Sequence, residues 1–148
     1  MNAEAHDYSL SLRGRAEELI ADGRYEDAIA TLDSSMDTDD VHLNYLLGVA
    51  AFRLGRDQLA ESAFTRVVGA RPDDAQALYG LGMTLRRLGR ERDARQAFVD
   101  AVAADPSMNA ARDQLAAPPT APVQTPGFSE QDPTTSSMAD LLDARGAP

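Results

Sequence analysis

Leu47-Gly48, Gly55, Ala60, Phe64 and Pro72 return 34 residues later as Leu81-Gly82, Gly89, Ala94, Phe98 and Pro106. Five landmarks held at one spacing mean that a single supersecondary unit is used twice in succession. One such unit cannot bury its own apolar face, so copies stack into a solenoid, and a solenoid presents a surface rather than a reaction centre. A weaker copy precedes the pair: Gly23, Tyr25 and Ala28 match the turn and the second half, with Leu32 where Phe64 and Phe98 stand. This copy is two residues shorter, Gly23 to Gly55 being 32 residues, and it lacks the closing proline. Terminal units deviate in this way because one of their faces meets water.

Each unit reads as two helices. In the unit starting near Val41, Leu46, Leu47, Val49, Ala50 and Leu54 recur at helical spacing up to Gly55, and Leu59, Ala60, Ala63, Phe64, Val67 and Val68 carry a second helix that stops before Pro72. The copy starting near Ala75 repeats this with Leu78, Leu81, Leu85 and Leu88, then Ala94, Ala97, Phe98, Ala101 and Val102. Asp39, Asp73 and Ser107 stand at 34-residue steps before helical runs and are the expected N-caps. The first helix of the early unit is predicted over roughly Tyr8 to Asp22, with Arg15-Ala16 in place of Leu-Gly. After Pro106 a last helix is expected from about Met108 to Ala117; with no second helix behind it, it would shield the open end of the stack. From Pro118 to Pro148 the chain turns rich in Pro, Ser and Thr and reads as a disordered tail. One amphipathic island interrupts it at about 136–144, where Met138, Leu141 and Leu142 share a helical face.

Composition narrows the function classes. Aromatic residues make up only 5% of the chain and there is no Trp, so the core must be Leu, Ala, Val and Ile. Net charge is −10, against general attraction to nucleic acid or an anionic membrane. All 14 basic residues are Arg, each able to grip a carboxylate through a two-pronged fork. There is no Cys, which removes thiolate chemistry and disulfides. The start of the chain has neither a basic cluster nor an apolar stretch, so a cytoplasmic location is expected. His6 and His42 are isolated, no H-x3-H spacing occurs, and no metal or cofactor site is expected. The acidic run Asp37-Thr38-Asp39-Asp40 lacks the glycine and distal glutamate of a calcium loop and reads as capping. None of the nucleotide-binding, nucleophile-elbow or metalloprotease motifs occurs, so no catalytic residues are proposed and the chain reads as a non-enzyme.

The units resemble the tetratricopeptide repeat, whose signature runs W-x2-L-G-x2-Y, then A-x3-F, then P. Leu47-Gly48, Ala60-x3-Phe64 and Pro72 fit it, as do Leu81-Gly82, Ala94-x3-Phe98 and Pro106. Asn44 and Leu78 depart at the Trp place, and Ala51 and Leu85 at the Tyr place. The resemblance covers residues from about 8 to 117. It implies an all-α, right-handed solenoid of helical hairpins, with repeats at about 8–40, 41–74 and 75–108 and a capping helix at 108–117. Gly48 and Gly82 would stand where two helices come close, with Ala60 and Ala94 facing them. The resemblance also implies that the first helix of each repeat lines a concave groove. The groove residues would then be Tyr45, Val49, Phe52, Arg53, Tyr79, Met83, Arg86 and Arg87, with Arg13, Glu17 and Ile20 from the first unit. The Lys and Asn set with which some members clamp a chaperone tail is not reproduced, since Arg13, Glu17, Val49, Gln76 and Gly80 stand at those places.

Two accounts of the rings remain open: Tyr45, Phe52 and Tyr79 either complete the packing between helices or form a partly apolar binding floor. The run Arg86, Arg87, Arg90, Arg92 and Arg95 reads as a solvated face or as a partner for acidic side chains. The expected function is a protein-interaction module, adaptor- or chaperone-like. It would hold a peptide segment by apolar anchors while Arg53, Arg86 and Arg87 meet its acids. An alternative is a scaffold that self-assembles end to end into a homo-oligomer. It rests on the charge contrast between residues 1–40, with eleven acids against three Arg, and residues 75–117, with five against six. A further alternative is masking of the groove by the tail segment Met138, Leu141 and Leu142.

Overall fold

The computed structural model describes residues 3–33 and 39–118, with the backbone alone at Ala5. The chain divides into two units, Met1–Ala117 and Pro118–Pro148, and the fold concerns the first. The amphipathic segment with Met138, Leu141 and Leu142 lies outside the described residues.

The described residues are helical throughout: α1 Ala3–Ala21, α2 Tyr25–Asp33, α3 Val41–Leu54, α4 Asp57–Ala70, α5 Ala75–Arg87, α6 Glu91–Ala104 and α7 Asn109–Ala116. They pair as α1/α2, α3/α4 and α5/α6, and each second helix also packs on the first helix of the next pair, with α7 closing on α6. The first helices touch one another along the stack, α1 on α3 and α3 on α5, more closely than the second helices do. The first-helix layer therefore forms the inside of the bend.

The turns explain why each pair closes. Gly23, Gly55 and Gly89 have φ of 76°, 80° and 81°, the left-handed region that ends a helix most cheaply at glycine. The following Arg N–H returns to the helix just ended: Arg24 to the Leu19 carbonyl at 2.7 Å, Arg56 to Ala51 at 2.9 Å, Arg90 to Leu85 at 2.9 Å. These bonds satisfy carbonyls that the helix end would otherwise leave open.

Two expected details are corrected. Helix α1 begins five residues before Tyr8, since Ala3 and Glu4 are good helix formers and Glu4 stabilises the first turn. The caps fall one residue later than expected. Asp40, not Asp39, accepts from the His42 and Leu43 N–H groups at 2.9 and 3.1 Å, and Asp74, not Asp73, accepts from Ala77 N–H at 3.0 Å. Ser107 caps nothing; its N–H and hydroxyl both donate to Asp105 at 2.9 and 2.6 Å, and α7 begins after Met108 without a side-chain cap.

The core follows the repeat. Ala16, Ala28, Ala50, Ala60, Val67, Ala94 and Phe98 are fully buried, and Leu32 and Phe64 nearly so. At Gly48 and Gly82 the nearest neighbour is a phenylalanine ring. A Cβ on Gly48 would stand 2.8 Å from the Phe64 ring, and one on Gly82 would stand 2.6 Å from Phe98. The Phe64 ring also reaches the next pair, where a Cβ on Gly80 would lie 2.6 Å away. One ring therefore wedges between two glycines on successive first helices, joining repeat to repeat. Asn44 stands at the Trp place and is 4% exposed. Its amide donates to the Asp40 carbonyl at 3.0 Å, so a polar side chain is tolerated there because it is bonded.

Candidate functional site

The eight residues predicted to line a groove all lie on α3 and α5, two neighbouring members of the inner layer. Their burial separates them from the core of the same helices. Leu43, Leu46, Leu47, Ala50 and Ala51 are buried, whereas Tyr45, Val49, Phe52, Tyr79 and Met83 are only partly so. Tyr45 packs edge-on against Phe64 and Tyr79 leans on Phe98, each with centroids 5.9 Å apart. Tyr45 and Tyr79 thus support the buried phenylalanines, while Phe52 lies under Arg87, and all three rings are only partly buried. Burial, with the nearby Asp74 charge, pushes the Tyr45 hydroxyl above its ordinary value.

The arginines are not equivalent. The Arg86 side chain is 13% exposed and lies over the Phe98 ring, 5.0 Å from its centroid. It grips both oxygens of Glu91 at 3.1 and 2.9 Å and donates to the Gln114 side chain and, at 3.3 Å, the Gln114 carbonyl. It therefore fastens α5 to both α6 and α7. Arg87 lies 3.6 Å from the Phe52 centroid and donates to Asp57 through its Nε at 2.9 Å and to the Phe52 carbonyl at 2.6 Å. Arg53 is exposed and lies 5.8 Å from the Tyr25 centroid; among the described residues it has no carboxylate partner. Arg90 pairs with Glu61 of the preceding repeat and with Asp93.

The first unit contributes a polar edge. Ser9 donates to Asp40, and His42 meets Glu17 at 2.9 Å, both linking α1 to α3. Burial tends to raise the Asp40 carboxyl. The Ser9 hydroxyl, the Leu43 and His42 N–H groups and the Arg13 charge outweigh that effect and hold it below the usual carboxylate range. The Arg13 Nε is buried and has no hydrogen-bond partner among the described residues. Elsewhere, a surface depression of about 480 Å³ lies at the α3–α4 turn, bordered by Asp57, Leu59 and Leu88; none of the eight residues lines it. Among the described residues, no cluster of three or more His, Asp or Glu could hold a metal, and no helix is long and apolar enough to cross a membrane.

Sequence reasoning missed three contributors: Gly80, Asp57 and Tyr25. Gly80 had a signal, being a mid-helix glycine at the repeat position of Leu46. The other two are readable only once the register of one hairpin on the next is known.

Stacked antiparallel helix pairs joined by left-handed glycine turns, with a wedge ring between repeats, define a helical-hairpin solenoid. A family profile described as tetratricopeptide repeat matches residues 13–74 and 58–109, and the chain belongs to that family. The chain is similar in fold to the first such domain of Spaghetti (RPAP3) bound to an HSP90 peptide, SRMEEVD. Identity is 22% and the TM-score 0.69, over 72% of this chain and 86% of that one. It is also similar to MamA of Desulfovibrio magneticus RS-1, at 24% identity and TM-score 0.67, over 70% of this chain and 60% of MamA. PcrH in complex with the chaperone binding region of PopB matches at 18% identity and TM-score 0.64, over 74% of this chain and 90% of that one. Comparison with curated protein sequences gives no match.

Proposed function

We propose that this chain is a non-enzymatic protein-interaction module that holds a peptide segment along the α3 and α5 face. One observation carries the reading. Tyr45 and Tyr79, and Val49 and Met83, stand at the same two repeat positions and stay partly exposed on helices that bury Leu43, Leu47, Ala50, Leu78 and Leu85. A periodic row of half-exposed apolar side chains on the inside of a bend suits an extended or helical segment with one or two apolar anchors. Arg53, Arg86 and Arg87 make one end of this row cationic, which favours a ligand that carries acidic side chains beside its anchors. The similarity to RPAP3 bound to a peptide, and to PcrH bound to a segment of PopB, supports the same reading. An adaptor or chaperone-like role is consistent with it.

Selection of random displayed peptides on the full chain tests this. Peptides with apolar anchors should be recovered, and recovery should fall to background on Phe52→Glu/Tyr79→Glu, with helicity and melting checked in parallel. Equal recovery on a folded double variant would place the binding face elsewhere.

A second reading, copies assembling end to end, is favoured by one feature. Gly14 stands at the repeat position of Gly80, yet among the described residues nothing beyond its own helical turn comes within 4 Å of a Cβ built on it. The place that a wedge ring fills further along is open at the first repeat. Sedimentation at low and high salt distinguishes the readings: mass that grows with concentration and falls with salt favours assembly.

A further inference from the structure

Within the interaction module proposed above, on which this inference rests, the structure assigns the reading of ligand acid to Arg53 and not to Arg86 or Arg87. The repeat itself supplies the argument. Arg53 and Arg87 are 34 residues apart and occupy one position of the repeat. Tyr25 and Asp57 likewise occupy one position, the first residue of the second helix, at the 32-residue spacing of the shorter early unit. At the junction of the second and third repeats these two positions form an ion pair, Arg87 to Asp57, whose guanidinium also covers the Phe52 ring. At the junction of the first and second repeats the carboxylate is replaced by a phenol. Arg53 lies over the Tyr25 ring and, among the described residues, has no carboxylate partner.

Arg86 is committed as well. Its fork holds Glu91, its remaining N–H groups hold Gln114, and its face lies on Phe98. A ligand carboxylate arriving at Arg86 or Arg87 would have to displace an internal carboxylate. At Arg53 it displaces only water, on a guanidinium already oriented by an aromatic face. Arg53 is one residue beyond Phe52 and one helical turn beyond Val49, so an acid bound there would sit about one turn from an apolar anchor on Val49. The inferred partner is an acidic peptide whose Asp or Glu flanks an apolar anchor, read at the junction of the first two repeats.

The test restores the repeat pattern. Tyr25→Asp would give Arg53 the internal partner that Arg87 has, and Arg53→Gln removes the charge outright. Random displayed peptides are selected on the full wild-type chain and on each variant, with melting followed to establish folding. The wild type should recover peptides enriched in Asp and Glu beside an apolar anchor. Both variants should recover the same anchors with the acidic enrichment lost, and should bind a synthesised wild-type-selected peptide about five- to tenfold more weakly. Arg53→Gln is the safeguard should Tyr25→Asp fail to fold. Acidic enrichment that persists in Arg53→Gln overturns the assignment. Anchored peptides without acidic enrichment on the wild type also overturn it while leaving the groove reading intact. Recovery of no peptide above background on the wild type overturns both.

Discussion

Glycine carries more of this architecture than any large residue, because three mid-helix glycines make room for two rings. The Phe98 ring is fully buried, and a Cβ on Gly82 would meet it at 2.6 Å. Gly82→Ala should therefore destabilise the protein by about 1–3 kcal/mol even though alanine is the better helix former. Urea denaturation would measure this; an unchanged or raised midpoint would mean the ring swings aside freely. The Leu-Gly motif makes Gly82 legible in the sequence, whereas only the helix crossing reveals that the Phe98 ring fills the gap. Asp40 gives a second residue-scale expectation. Its carboxyl is lowered in the folded chain, so its contribution is present above the ordinary carboxylate pKa of about 4 and is lost as pH falls through the lower folded value. Asp40→Asn should thus be less stable than wild type at neutral pH, and the gap should close in acid. A gap that widened below pH 4 would contradict the sign.

At the scale of the element, the question is what holds a short helix to the end of a stack. Helix α7 is eight residues long, has no side-chain cap and buries little beyond Ala111, with Met108 just before it. Isolated helices of this length are not stable in water, so its order depends on docking. Arg86 supplies a polar part of that docking through Gln114, and Arg95 adds a bond to the Leu115 carbonyl at 3.3 Å. In Arg86→Met, amide hydrogen exchange over residues 109–116 should accelerate about tenfold or more while α3 and α4 keep their protection. Unchanged exchange in α7 would show that apolar docking alone suffices. The helix itself was foreseen from its periodicity. The latch was not, because Arg86 and Gln114 are 28 residues apart and occupy unrelated places in the repeat.

Across the whole molecule, the two repeat junctions solve one packing problem with different volumes. The second junction uses Phe64 against Gly80; at the corresponding positions the first has Leu32 and Leu46, 1% and 8% exposed. Leu32→Phe alone should overfill the first junction and Leu46→Gly alone should leave a void, each costing stability. The double variant recreates the second junction's chemistry, and its cost should fall short of the sum by about 0.5–3 kcal/mol in a denaturation cycle. Strict additivity would mean that the two junctions pack differently. The repeat spacing, the glycine turns and the helical periodicity determined by themselves that the chain stacks hairpins, because these are local signals that every copy repeats. The candidate face on α3 and α5 is what the resemblance to the tetratricopeptide repeat implies, since it puts the first helix of each repeat along the concave side. Which of the three groove arginines lacks a carboxylate among the described residues, which ring fills which glycine and what latches the last helix were decided only by tertiary structure. Each depends on how one hairpin registers against the next, and that register is set by side-chain volumes and charges dozens of residues apart.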